Sequence, residues 1–200
     1  MRMRSIVQSG ELGALQSASA AFQIPQGRIL DGDIRFKFKL GGGATTDLGC
    51  YAVSNLRFYL GSEPTVTAAN PTPHHLEPEK IDRAMHAELE FPALNSSSSP
   101  STIPATIDVD LQLPHWGPFS LFPSFPKSWA QVKGDEYTAT YTNFIWPWIW
   151  HSIVITDSKT GKVVRTEKKY KFDDGEPSED WWSTYRNMVR VSHPPRPWSS

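Results

Sequence analysis

The sequence predicts an α+β domain, with an open and predominantly antiparallel sheet and a few helices covering one face. Three observations predict it. Apolar and polar residues alternate with period two in several separate runs, most clearly at residues 85–91 and 103–113. One interior stretch, residues 48–60, instead places apolar residues at helical spacing. No regular series of strands and helices runs along the chain, so a doubly wound parallel sheet is not expected.

The elements follow in order. Residues 1–12 read as the last turns of a helix ended by Gly13, and, lacking a cap at the first residue, as the remnant of something longer upstream. Residues 15–23 read as a strand of small side chains anchored by Leu15 and Phe22, and residues 27–32 as a turn region. Ile34, Phe36, Phe38 and Leu40 alternate with Arg35, Lys37 and Lys39, which predicts another strand. The stretch GGGATTDLGCY, residues 41–51, opens a helix that runs to Leu60 and stops at Gly61. Thr45, Thr46 and Asp47 are placed to cap or charge its first turn, and Leu48, Ala52, Leu56 and Tyr59 form its apolar stripe.

A short strand is expected at residues 65–69, followed by a loop holding Pro71, Pro73, His74, His75 and Pro78. Residues 85–91 and 103–113 then make an antiparallel hairpin with one buried and one polar face, joined by a serine-rich, flexible connection at 95–101. Residues 114–127 form a long proline- and aromatic-rich excursion. Tyr137, Ala139 and Tyr141 mark a further strand. Residues 152–155 and 162–172 make a second hairpin turned at 157–161, and 181–191 a short closing helix. The division expected is a remnant helix at 1–13, one α+β domain at 14–192, and a disordered tail at 193–200.

Composition narrows the function classes. A formal net charge of −1 gives no general attraction to nucleic acid or anionic membrane. No apolar run approaches the roughly 20 residues that span a bilayer, and residues 1–30 lack a signal-peptide pattern. The single cysteine, Cys50, excludes an internal disulfide and suits a reducing compartment, so a cytoplasmic location is expected. It reads as a packed small apolar residue.

Asp47 and Tyr51 are the candidate chemistry. Four residues apart on a helix, they share one face, presenting a carboxylate and a phenol together. A free tyrosine titrates near pH 10 and needs a nearby cation to act as a base at neutrality. The His74–His75 pair invites a metal, but no third or fourth ligand stands at useful spacing, so no metal is expected. Rows of acidic residues on the first hairpin read as a solvated strand face rather than the paired carboxylates of a glycosidase. Gly41 and Gly43 start a dinucleotide fingerprint, but Thr46 takes its third glycine position.

The stretch at 41–51 resembles the GGGxxxDxGxY signature of the C-terminal domain of Gfo/Idh/MocA oxidoreductases. The flanks are most similar to the branch containing dimeric dihydrodiol dehydrogenase and fungal NADP-dependent D-xylose dehydrogenase. Residues 4–13 (RSIVQSGELG), 60–64 (LGSEP), 142–147 (TNFIWP) and 151–153 (HSI) carry the likeness, in the right order, over residues 4–186. The resemblance implies an NADP- or NAD-dependent dehydrogenase acting on a small sugar or diol, with Tyr51 as acid/base, Asp47 binding or orienting substrate hydroxyls, and Gly41, Gly42 and Gly43 as the substrate loop. It also implies a homodimer joined through the sheet. The family's cofactor domain, with the lysine that supports the tyrosine, has no counterpart here, since Glu79-Lys80 is followed by Ile81 and lies after the motif. The chain therefore encodes no cofactor site and, alone, is expected to be inactive. Two further readings stay open: a standalone dimerisation or sugar-binding module of the same fold, and an unrelated carbohydrate-binding domain using Trp146, Trp148 and Trp150.

Overall fold

The structure, a computed structural model, describes residues 2–93 and 102–168. The serine-rich connection, the closing helix expected at 181–191 and the tail at 193–200 lie outside them, as does the end of the second hairpin.

Helix α1 (Arg2–Gln8) leads into strand β1 (Leu15–Pro25). A loop with two single 3-10 turns reaches a π-helical segment, Thr45–Gly49, that runs directly into helix α2 (Cys50–Leu60). Strands β2 (Thr65–Pro73), β3 (Asp82–Pro92) and β4 (Thr102–Leu113) follow. They are succeeded by β5 (Lys127–Gly134), β6 (Tyr137–Thr142), β7 (Ser152–Asp157) and β8 (Val163–Glu167). All eight strands form one open sheet in the order β2-β3-β4-β1-β5-β6-β7-β8. Every neighbouring pair is antiparallel except β1 with β4, which is parallel. The α+β class and the two hairpins thus hold.

Both helices pack on one sheet face, where the core sits. Leu48, Ala52, Leu56 and Tyr59 of the helical stripe are buried against Ala20 and Phe22 of β1, Val109 and Leu111 of β4, and Val132 of β5. Gly61 ends α2 in the left-handed conformation, at φ 72°. No helix among the described residues is long and apolar enough to cross a membrane.

Four expectations are corrected. Residues 34–40 are not a strand: Asp33 accepts a hydrogen bond from the Arg35 amide and starts a 3-10 turn, leaving Ile34, Phe38 and Leu40 more than half exposed while only Phe36 is buried. Strand β2 runs on to Pro73, taking in Pro71 and Pro73 from the expected loop; β2 is an edge strand, where a missing amide donor is tolerated. Strand β5 follows the expected excursion, in residues to which no element was assigned, although Ala130 and Val132 alternate inward. Lastly, Asp110 does not belong to a solvated row: it is buried, bonded to Arg83 at 3.1 Å and to the Gln112 amide at 2.8 Å. Burial raises its pKa, partly offset by those partners.

Candidate functional site

The glycine stretch builds the start of α2 from three directions. Gly42 and Gly43 donate their amides back to Lys37 and Arg35, at 3.1 and 2.9 Å, which folds the loop onto the turn before it. At Gly42 a Cβ would lie 2.6 Å from the Arg35 carbonyl oxygen, and at Gly43, where φ is 139°, it would meet the Asp82 carboxylate. Thr46 Oγ1 donates to the Gly41 and Gly43 carbonyls at 2.7 and 3.0 Å.

The capping expectation is corrected here. Thr45, Thr46 and Asp47 supply no cap acceptor; Asp82, the first residue of β3, does. Its Oδ2 accepts from the Thr45 amide at 2.8 Å and from Thr45 Oγ1 at 2.6 Å. A carboxylate there answers unsatisfied helix amides and complements the positive end of the dipole. Sequence reasoning missed Asp82 because a cap taken from a residue 37 positions away leaves no local signature.

Asp47 sits on the π-helical segment, where i→i+5 bonding widens the turn, and Tyr51 follows on the first turn of α2. Asp47 Oδ2 is held by Arg35 Nε at 3.0 Å, while Arg35 also grips Asp33 at 3.0 Å. Hydrogen bonding by the Arg35 amide lowers the Asp33 pKa. Arg35, read from sequence as a polar position of a strand, is thus the fixing partner of Asp47. Tyr51 is 51% exposed and packs edge-on against Phe22 of β1, ring centroids 6.0 Å apart. Cys50 is exposed, not packed as expected, because its neighbours Gly49 and Ala52 take the inward positions.

Phe22 collects further aromatics. Phe144 and Trp146 meet it edge-on at 6.1 and 6.5 Å, and Trp146 stays 43% exposed. The loop carrying them is fixed by Asn143, in the left-handed region at φ 59°, whose Nδ2 donates to the Trp146 and Trp150 carbonyls at 2.9 and 2.7 Å. His151 Nδ1 lies 2.8 Å from the Pro147 carbonyl oxygen. An exposed phenol and an exposed indole therefore flank one buried ring. Sequence reasoning named both but could not bring residues 51 and 146 to the same ring, Phe22.

The loop does not fit a dinucleotide pyrophosphate. A phosphate cradle needs free backbone amides at a helix start. Here the amides of Gly42, Gly43, Thr45 and Asp47 are spent on Lys37, Arg35, Asp82 and Gly43, and the approach holds a carboxylate. What the site offers is a polar and aromatic surface.

A second cluster lies behind the loop. His74 is fully buried and stacks on Phe36, centroids 4.1 Å apart; burial lowers its pKa. Asp31 stands beside His74 and His75, the donor atoms of the three lying within 4.8 Å of one another. The expectation that the histidine pair lacks a third ligand is thereby corrected. Asp31 is distant in sequence and gives no spacing signal.

Comparison with known proteins agrees with this architecture. The GFO/IDH/MocA C-terminal domain matches residues 1–105. A dTDP-3,4-didehydro-2,6-dideoxy-alpha-D-glucose 3-reductase of Saccharopolyspora spinosa is 38% identical over 80 residues, covering 40% of this chain and 23% of that protein. D-xylose 1-dehydrogenase (NADP(+)) 2 of Haloferax volcanii is 42% identical over 85 residues, covering 42% and 24%. Among solved structures, aldose-aldose oxidoreductase from Caulobacter crescentus, complexed with glycerol, superposes with a TM-score of 0.64 at 15% identity, over 95% of this chain and 49% of that one. A 3-ketoreductase from Actinomadura kijaniata in complex with NADP and TDP-benzene gives 0.65 at 17% identity, over 98% and 52%. The matches thus span about a quarter of the curated relatives and about half of the solved chains. With over half of its length matched by that domain and the fold in agreement, the chain belongs to the GFO/IDH/MocA family, as its C-terminal domain.

Proposed function

We propose that this domain is the substrate side of an NADP- or NAD-dependent oxidoreductase acting on a hydroxyl of a small sugar or diol. The observation that carries the reading is that exposed Tyr51 and exposed Trp146 both contact the ring of Phe22, with the Arg35-fixed carboxylate of Asp47 four residues before Tyr51. A sugar ring lies with its C–H face on an aromatic ring while its hydroxyls need hydrogen-bonding groups at the edge. Trp146 supplies the first, and Asp47 and Tyr51 the second. Tyr51 exchanges the proton of the reacting hydroxyl, the role that any oxidation of an alcohol to a carbonyl requires. Asp47, with one oxygen held by Arg35, accepts from a neighbouring hydroxyl and orients the ring. The nicotinamide cofactor is held outside the described residues. A homodimer through the sheet and a cytoplasmic setting complete the proposal.

A binding module without redox chemistry is the second reading, favoured by the exposure of Trp148 and Trp150 beside Trp146. Saturation-transfer NMR on the chain, with aldopentoses and small diols, tests the shared part. Trp146→Ala should abolish the transferred signal; unchanged signal would remove the aromatic platform. The chemistry is tested in an assembly that carries a nucleotide-binding domain. There Tyr51→Phe should lower turnover by about 10²–10⁴-fold while sugar binding persists. Near-normal turnover would refute the acid/base role.

A further inference from the structure

We propose that Asp31, His74 and His75 form a binding site for a divalent transition-metal ion of the zinc class, set behind the glycine loop. The inference stands apart from the proposed sugar chemistry and rests on geometry. His75 Nε2 lies 3.3 Å from one Asp31 oxygen, and His74 Nε2 lies 3.7 Å from the other. Donors on a tetrahedral zinc ion, with bonds of about 2.0–2.1 Å, stand about 3.3–3.4 Å apart. Both imidazoles thus stand near donor spacing from the carboxylate, and the three donors, all within 4.8 Å of one another, need only draw together to meet on one ion.

The second observation is the state of His74. It is fully buried, and neither ring nitrogen has a hydrogen-bond partner. Buried polar groups are nearly always satisfied, so an orphaned imidazole aimed at a carboxylate needs an explanation. At 3.7 Å the carboxylate is beyond hydrogen-bonding reach. A metal between them satisfies Nε2 and uses the neutral imidazole that burial favours.

The surroundings hold the donors in place. The His74 ring stacks on Phe36 with an interplanar angle of 10°, and its amide donates to the Ile81 carbonyl at 2.8 Å. Asp31 Oδ1 accepts from Gln112 Nε2 at 3.0 Å, the kind of outer contact that orients ligating carboxylates. The nearby cation, Arg83, is engaged by Asp110 and by the Gln112 carbonyl at 2.7 Å. Two imidazoles and a carboxylate select zinc, cobalt or nickel over magnesium and calcium, and leave a coordination position for water. The ion would brace the loop from behind: Phe36 belongs to the turn whose Arg35 fixes Asp47, and Ile81 precedes the capping Asp82.

The test is a cobalt(II) titration of the chain, stripped of metal and free of any histidine tag, followed by the visible d–d absorption. One cobalt per chain is expected, displaced by zinc, with zinc raising the melting temperature. Asp31→Asn and His75→Ala replace half-exposed side chains and should leave the metal-free far-UV circular dichroism unchanged. Each should weaken cobalt binding at least ten-fold and cancel the zinc-induced shift. His86→Ala, at the separate His86–Asp108 pair, should leave both intact. Absence of the absorption band, or wild-type affinity in Asp31→Asn or His75→Ala, would overturn the site.

Discussion

Gly43 and Asp82 are the two residues on which the site's geometry most depends, and only the first stands out in the sequence. Gly43 adopts φ 139° and presses against the Asp82 carboxylate, so a Cβ is excluded by both conformation and space. Gly43→Ala should therefore destabilise the chain by about 1–3 kcal/mol in urea denaturation. A cost below a few tenths would mean that the loop relaxes freely. Asp82→Ala removes the acceptor for the Thr45 amide and hydroxyl and should cost about 1 kcal/mol. Asp82→Asn, which retains an acceptor, should recover part of that. Asp47 and Tyr51 could be named from their four-residue spacing, but the aromatic wall around Tyr51 and the Arg35 clamp on Asp47 depend on chain crossings that spacing does not encode.

At the scale of elements, the sequence was legible wherever burial enforces period. Strands β3 and β4 bury alternate residues from Ala87 to Phe91 and from Ile103 to Leu111, and their pairing follows. It was illegible where local hydrogen bonds override period. Residues 34–40 alternate like a strand, yet Asp33 and the glycine loop take their amides and carbonyls into turns. Helix α1, read as the end of a longer helix, buries Met3, Ile6 and Val7. Its position is clasped at the far edge of the sheet: Glu167 of β8 bonds Arg2 Nε at 2.6 Å and Arg165 Nε at 2.8 Å, and Arg165 also pairs with Glu11. The Arg2 bond, partly opposed by burial and aided by Arg165, lowers the Glu167 pKa from 4.5 to about 2. A depressed carboxylate stabilises the fold above its unfolded pKa, and the contribution disappears as pH falls through the folded value. Glu167→Gln should thus cost about 1 kcal/mol or less at neutrality, since Arg2 is largely exposed. The gap from wild type should close between pH 4.5 and about 2 in acid titrations of stability. A gap independent of pH would show that the clasp is not ionic.

Among the described residues no helix covers the second face of the sheet, and the composition of that face decides how it is used. A single row across the sheet reads Glu88, Thr106, Ser19, Gln131, Thr140, Val154 and Thr166 through the strand registers. Gln131 Nε2 already donates to Thr140 Oγ1 at 2.9 Å along it. Small hydroxyl side chains at the centre permit another sheet to approach to about 10 Å, while charges at the margin would form a polar rim. A row of this composition also suits water. The excursion adds a separate hazard: Phe119, Leu121 and Phe125 are each more than 70% exposed and give an apolar surface unlike the polar face. The proposed dimer through the sheet therefore predicts two distinct behaviours. Sedimentation across a concentration series should show a saturable monomer–dimer equilibrium, abolished by Ser19→Arg at the centre of the row without loss of melting temperature. Paired Phe119→Ser and Phe125→Ser changes should leave that equilibrium alone and reduce only the larger aggregates. If the wild-type chain stays monomeric throughout, the row faces water and the dimer fails. If Ser19→Arg dimerises normally, the contact lies on another surface.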